Sequence, residues 1–194
     1  YSQYEILSGG TGARPDDDGI SAMDELVVNV MNTPVETVET EFPVRVHSYG
    51  LVQDSGGAGR FRGGLGVRRQ WQILGEESIV NLRTDRFKFS SPGIFGAKLA
   101  RTSAASLQSE GAPGRPLGSK AAGIRLKKGD VLTLEFAGGG GSGDPRERPP
   151  GRVREDVVRG YVSRQAARDD YGVMLDDDLG IDPEATARLR DNQQ

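Results

Sequence analysis

Glycine is the residue that most constrains this chain, because 28 of its 194 residues are glycine and most of them stand in clusters. The densest cluster puts seven glycines into residues 50–66, and two others cover residues 9–12 and 138–143. Glycine lacks a Cβ atom, so it serves where the backbone takes a positive φ or where two backbones approach closely. We therefore expect loops whose backbones either turn tightly or lie directly against other parts of the structure.

Charge and composition exclude several classes of function. The 25 basic and 28 acidic residues leave a net charge of −3, which provides no field that would collect nucleic acid or an anionic membrane. The chain has no cysteine, which removes disulfides, thiolate zinc sites and cysteine nucleophiles. No apolar run reaches the roughly 18 residues of a membrane helix, and no signal peptide is visible. We expect a soluble, cytoplasmic protein with neither a nucleic-acid nor a membrane partner.

Two features indicate a part of something larger. The hydrophobic content is 35%, against about 45–50% in ordinary domains when glycine is counted. The chain begins at Tyr1 rather than at a methionine. We therefore expect a fragment or a split subunit of a longer protein, whose surface is completed by partners.

A strand with one buried face is predicted at residues 67–74, because apolar and polar residues alternate there. Residues 78–84 are expected to pair with it as an antiparallel hairpin across a turn at 75–77. The residues that share the predicted inner face are Val67, Arg69, Trp71 and Ile73.

Other parts of the first 150 residues are also read as strands and loops. A last hairpin is expected between residues 123–126 and 131–136, and a short first strand at residues 4–7. Residues 97–120 are rich in Ser, Ala, Gly and Pro and contain little to pack, so we predict a long surface excursion. The valine-rich run at residues 21–31 fits a helix and a strand equally well.

The end of the chain changes to a helical pattern. Valines and a tyrosine recur at helical spacing within residues 153–161, with charges on the other side. Ser163 is expected to cap a second short helix that ends at Gly172, and Asp182 with Pro183 to begin a third. The predicted fold class is α+β, with an antiparallel β-rich region over residues 1–150 and a helical segment over residues 151–194.

The glycine clusters do not match known phosphate-binding patterns. No Gly-Lys-Ser or Gly-Lys-Thr occurs, and Pro15 stands where a dinucleotide fingerprint has its third glycine. The cluster at residues 138–143 follows a strand, but about ten residues separate it from the next helix. Turns that pack against another chain or domain are the better interpretation, with a phosphate loop as the alternative.

Other polar residues suggest no complete active site. The acidic runs at residues 16–18 and 176–178 lack calcium-loop spacing, although the first, beside a glycine turn, keeps a cation or polar-substrate role open. The single His47 is read as a packing or hydrogen-bonding residue. Asp54 with Arg60 and Arg62 is typical of turn-anchoring salt bridges, with anion binding as the alternative.

Several segments, in order along nearly the whole chain, resemble the hydantoinase B/oxoprolinase family. The most specific is the thirteen-residue stretch at residues 54–66. The other matching segments are residues 9–14, 18–19, 32–36, 42–46, 129–131, 138–145, 153–163, 166–167 and 171–173, together with Glu39 and Arg148.

This resemblance implies a subunit of an ATP-dependent enzyme in which the substrate carbonyl oxygen is phosphorylated. The implied function is that of the C-terminal part, or a small subunit, of a hydrolase that opens hydantoin or 5-oxoproline rings. The alternatives are a subunit of an acetone- or acetophenone-type ketone carboxylase, and a non-catalytic scaffold. The implied partners are a hydantoinase A-type ATP-binding subunit, the rest of the B-type subunit and a small cyclic amide or ketone. ATP and a divalent cation, Mg²⁺ or Mn²⁺, are expected to be bound mainly outside this chain.

The resemblance carries over no catalytic residue. A complete B-type subunit is about three times longer, and the metal-binding residues of the carboxylase relatives lie upstream, so no metal ligand is expected here. The glycine-rich segments are the best local candidates for a substrate or phosphate channel at a border between subunits, the alternative being a role in fold and interface alone. The candidate residues are Gly10, Gly12, Arg14, Asp18, Asp54, Arg60 and Arg62.

Overall fold

The structure of the protein is a computed structural model that describes residues 2–23 and 31–191. It consists of a five-stranded antiparallel sheet, a two-stranded antiparallel sheet and four short α-helices. The larger sheet has, in spatial order, β1 (Val44–Leu51), β2 (Val67–Ile73), β7 (Val131–Glu135), β4 (Ala104–Gln108) and β5 (Arg115–Pro116). The smaller sheet pairs β3 (Glu77–Arg83) with β6 (Lys120–Lys127).

The predicted alternation of β2 is confirmed, since its first, third, fifth and seventh residues are all buried. In the larger sheet Trp71 lies opposite Leu132, which lies opposite Leu107. Leu82 and Leu126, from the smaller sheet, join the same apolar cluster. The main core is therefore built from both sheets.

Both predicted hairpins are wrong. β2 pairs with β1 and β7, whereas β3 pairs with β6, and β6 is not paired with β7. The turn at residues 127–130 bonds to the end of β2, where Ile73 N donates to the Asp130 carbonyl at 2.9 Å. The two short connections carry the chain from one sheet to the other, because the apolar face of the larger sheet needs a cover.

Two other local predictions are also wrong. Residues 97–120 contain β4, an internal strand whose Ala105 and Leu107 are 5% and 3% exposed. Its small side chains conceal a strand that burial, rather than propensity, stabilises. Residues 4–7 form no strand, although Leu7 packs against the main core. The alternative between helix and strand at residues 21–31 falls largely on residues 24–30, which lie outside the described residues.

The predicted helical end is confirmed as α2 (Pro150–Val158), α3 (Arg164–Asp169) and α4 (Pro183–Asp191), while α1 (Val35–Glu41) precedes β1. The Ser163 hydroxyl accepts from Ala166 N at 3.0 Å, and the Asp182 carboxylate from Ala185 N at 2.9 Å. The helical segment packs on the glycine-rich segment, because Val153 and Tyr171 share a cluster with Ala58. The α+β class is therefore confirmed. None of the described helices is both long enough and apolar enough to cross a bilayer.

Candidate functional site

The glycine-rich segments lie against one another, and we call the four segments at residues 9–19, 55–66, 92–99 and 137–143 the glycine bundle. Gly64 N donates to the Thr11 carbonyl at 2.9 Å, Gly139 N to the Gly64 carbonyl at 2.9 Å, and Gly57 N to the Gly139 carbonyl at 2.8 Å. Backbone therefore bonds to backbone across the bundle in the manner of a sheet, but between irregular segments.

Close approach, rather than turn geometry, explains the glycines of this bundle. A Cβ atom on Gly63 would lie 1.9 Å from the Gly139 carbonyl oxygen, and one on Gly139 would lie 1.8 Å from that of Thr11. None of the glycines at residues 50–66, all of which the structure describes, has a positive φ, whereas Asp54 has a φ of 58°. Side chains are excluded because the backbones touch.

The contacts of the bundle bear on the expected nucleotide and cation. The amides of Gly57, Gly63, Gly64, Gly139 and Gly141 donate to backbone carbonyls, so they are not free to bind a phosphate. In residues 2–23 and 31–191, no group of three or more His, Asp or Glu side chains is arranged to hold a metal ion. The described part of the chain does not fit ATP or a divalent cation at these loops.

Two arginines and two aspartates form a buried ionic cluster beside the bundle. Arg148 donates from both terminal nitrogens to the two Asp18 carboxylate oxygens at 2.7 Å, and from Nη2 to Asp156 at 2.8 Å. Arg62 Nε lies 3.6 Å from the same Asp156 oxygen. The Arg148, Arg62 and Asp156 side chains are 2%, 5% and 8% exposed, and Asp18 is 24% exposed. Two positive and two negative charges balance, which burial requires.

Burial and charge act on the pKa values in this cluster in opposite directions. Burial alone would raise the pKa of Asp18, but the hydrogen bonds and charge of Arg148 outweigh it and hold that pKa below its ordinary value. Burial raises the pKa of Asp156, although Arg148 and Arg62 oppose it. Burial would lower the pKa of Arg148, but Asp18 and Asp156 raise it.

The cluster also joins distant parts of the chain. Arg62 N donates to Asp18 Oδ1 at 2.7 Å, and Arg190 of α4 donates to the Arg148 carbonyl at 2.8 Å. Asp156 lies in α2, so the cluster ties the bundle to the helical end. Arg148 and Asp156 are the functional neighbours of Asp18 and Arg62 that sequence reasoning did not single out as site residues. Their only signal was membership in the segments that carry the family resemblance.

The remaining candidate residues lie apart from this cluster. Gly10 lies against Gly64, where a Cβ atom would meet the carbonyl oxygen at 2.0 Å, whereas Gly12 has room for one. Arg14 is exposed, 3.6 Å from Asp17. Asp54 accepts a hydrogen bond from Ser163 N at 2.7 Å, so it orders the start of α3.

Arg60 is the one predicted residue that lines a cleft, a hollow of about 300 Å³ at the edge of the bundle. Its side chain is 57% exposed and lies 3.6 Å from the Glu147 carboxylate. Its guanidinium also lies 5.7 Å from the Phe61 ring centre. The cleft therefore combines a cation, carboxylates and aromatic surface. Its other principal lining residues are Pro15, Phe95, Ser142, Gly143 and Asp144.

A second buried ion pair lies on the inner face of β2. Arg69, with its side chain fully buried, donates to Glu5 at 2.9 Å. Its guanidinium lies 4.5 Å from the Tyr49 ring centre and 5.4 Å from that of Trp71. Burial raises the pKa of Glu5 even though Arg69 opposes the shift. This pair fastens the irregular residues 4–7 to the larger sheet.

Comparison with known proteins adds to this geometry. The sequence pattern described as Hydantoinase B/oxoprolinase matches residues 1–145. The chain is 32% identical, over 96% of its length, to the B component of a D-/L-hydantoinase from Pseudomonas sp. strain NS671. It is 33% identical, over 91% of its length, to the beta subunit of the caprolactamase of Pseudomonas jessenii. It is 29% identical, over 96% of its length, to the acetophenone carboxylase delta subunit of Aromatoleum aromaticum.

The fold matches as well as the sequence. The crystal structure of the ATP-dependent caprolactamase from Pseudomonas jessenii superposes on 95% of the chain with a TM-score of 0.82 and 28% identity, and 33% of that structure's chain is covered. The chain also covers 31%, 31% and 32% of the three relatives. It therefore spans about a third of the length of the proteins it matches.

Proposed function

The chain belongs to the hydantoinase B/oxoprolinase family, and from that premise we propose that it is part of an ATP-dependent enzyme that hydrolyses cyclic amides. The observation that carries the proposal is its likeness to two proteins named for such substrates, a hydantoinase and a caprolactamase, over 96% and 91% of the chain. Both names denote ring amides, which water alone attacks slowly.

Within that enzyme, the chain supplies a rigid framework and one side of a substrate or phosphate channel. The support for a framework is that Asp18 and Arg62 are held in a neutral, buried cluster. The support for the channel is Arg60, whose exposed guanidinium suits a carbonyl or phosphate oxygen. We assign ATP and the Mg²⁺ or Mn²⁺ ion to the A-type subunit and to the rest of the B-type subunit. The isolated chain is then expected to be inactive.

A ketone carboxylase is the second candidate function. The observation that favours it is the likeness to the acetophenone carboxylase delta subunit, which extends over 96% of the chain. The lower identity of 29%, against 32% and 33% for the two amide-directed relatives, places it second. A purely structural role in such a complex is favoured only if the Arg60 cleft binds nothing.

The experiment is an assay of the native complex that contains this chain. Hydantoin, 5-oxoproline and caprolactam are each incubated with ATP and Mg²⁺ or Mn²⁺, and ring-opened product and released phosphate are measured. We expect one of these amides to be opened only when ATP is present. Phosphate release that instead requires bicarbonate and a ketone, with all three amides left intact, would overturn the hydrolase in favour of the carboxylase.

A further inference from the structure

One loop holds a concentration of exposed apolar side chains that the chain itself does not cover. Residues 85–101, which connect β3 to β4 and which we call the aromatic loop, expose Phe89 and Phe95 by 79% each. Leu99 is 65% exposed and Ile94 46% exposed. Grouped apolar exposure of this kind marks a surface that another body covers.

The exposure is built into an ordered backbone. Ile94 N donates to the Gly141 carbonyl at 3.0 Å, Lys98 N to that of Ala58 at 2.7 Å, and Arg101 N to that of Ser55 at 2.9 Å. The glycine bundle therefore holds the inner side of the loop. The exposed side chains on its outer side are presented from fixed positions.

Backbone strain in the same loop supports this interpretation. Phe95 and Arg86 have φ values of 54° and 62°, in the left-handed region that favours glycine. Each such residue costs about 1–2 kcal/mol, and a bulky aromatic residue is seldom found there. Strain of this kind persists at sites where a fixed direction of a side chain is used. Here it holds an exposed ring and an exposed cation on one loop.

The charge of the loop indicates the chemistry of its partner. It carries Asp85 against Arg86, Lys88, Lys98 and Arg101, a surplus of positive charge in a chain whose net charge is −3. Lys98 and Arg101 are paired with Asp170 and Glu135. Arg86 and Lys88 are exposed, and among the described residues no carboxylate lies within 4.0 Å of either. A complementary surface would be apolar with carboxylates at its rim.

We infer that the aromatic loop docks against the part of a B-type subunit that this chain does not span. The chain covers only 31–34% of the relatives it matches most fully, so in those proteins the same fold is covalently joined to a body about twice its size. A tethered body has a high effective concentration, which makes it the favoured occupant. The inference rests on the proposed function only in taking this chain as part of such a subunit.

The test is residue-level footprinting of the native complex with a photochemical carbene reagent. Labelling of each residue in the native complex is divided by its labelling after denaturation. We expect Phe89, Phe95 and Leu99 to be protected at least about tenfold, to the level of the buried Tyr171, although each is exposed in the chain alone. Labelling of these three as high as after denaturation would overturn the inference.

Zero-length amine-to-carboxylate cross-linking of the same complex then identifies the occupant. We expect Lys88 to be joined to an Asp or Glu in the B-type sequence outside these 194 residues. A cross-link instead to a second copy of this chain, or to the A-type subunit, would show that the occupant is wrong. Neither measurement uses catalysis, so a protected loop in a complex that carboxylates ketones would overturn the proposed function alone.

Discussion

Arg60 and Arg62 are two positions apart in the sequence and meet opposite environments in the fold. The Arg62 side chain is 5% exposed and lies in the ionic cluster, whereas that of Arg60 is 57% exposed and faces the cleft. The residue types were predictable as an anion-binding pair. Which of them would be buried was not, because the contact that places Arg148 on Asp18 joins residues 130 positions apart.

Replacing one anion of the cluster tests its structural role. We expect Asp18→Asn to lower the free energy of unfolding by about 3 kcal/mol, because it removes the charge that balances buried Arg148. Asp17→Asn is the matched control, since that neighbouring side chain is 63% exposed and should change stability by less than about 0.5 kcal/mol. Urea denaturation at pH 7 measures both, and equal losses would contradict a buried cluster.

The same substitution should have a pH-dependent effect. The folded pKa of Asp18 lies below its ordinary value of about 3.9, so its contribution is present above that value and is lost as the pH falls through the folded pKa. The difference in melting temperature between wild type and Asp18→Asn should therefore be largest near neutral pH and shrink below about pH 4. A difference that stays constant from pH 7 to pH 3 would contradict the lowered pKa.

At the scale of elements, the local features were predictable and the pairings were not. Ser163 and Asp182 each bond an amide three residues ahead, so these helix caps can be inferred from short patterns. The pairing of β3 with β6 joins Ile79 to Arg125 across a long intervening stretch. Two short turns that resemble hairpins conceal it, because the burial of a shared face decides strand pairing.

The glycine bundle makes a sharp prediction at this scale. Gly63→Ala would set a Cβ atom 1.9 Å from a backbone oxygen, so we expect a loss of about 4 kcal/mol or more, or a failure to fold. Gly12→Ala, in the same bundle, meets its nearest atom at 3.9 Å and should cost less than about 1 kcal/mol.

A helical glycine provides a second control for that comparison. Gly151 in α2 has nothing within 4 Å of its Cβ position, and Gly151→Ala should stabilise the protein by up to about 1 kcal/mol. Soluble yield and urea denaturation measure all three variants. If Gly63→Ala were as stable as Gly12→Ala, the close backbone packing described for the bundle would be incorrect.

At the scale of the molecule, stability comes from unusual sources for a chain with 35% hydrophobic residues. One apolar cluster joins the two sheets, a second joins the helices to Ala58, and the bundle between them is held by backbone hydrogen bonds. Two buried ion pairs or clusters fasten the N-terminal residues to this framework. The fold class was predictable from composition and order, whereas this division of labour depends on contacts between distant segments.

The central claim is that the framework is structural and that Arg60 alone, among the seven predicted residues, faces the reaction. In the native complex we expect Arg60→Ala to lower kcat/KM at least about tenfold with an unchanged melting temperature. Arg159→Ala, whose side chain is 56% exposed beside Glu155, is the matched control and should change neither quantity. Arg62→Ala should instead lower the melting temperature, because it unbalances the buried cluster. Unchanged kcat/KM in Arg60→Ala would contradict the claim and leave this chain as a scaffold.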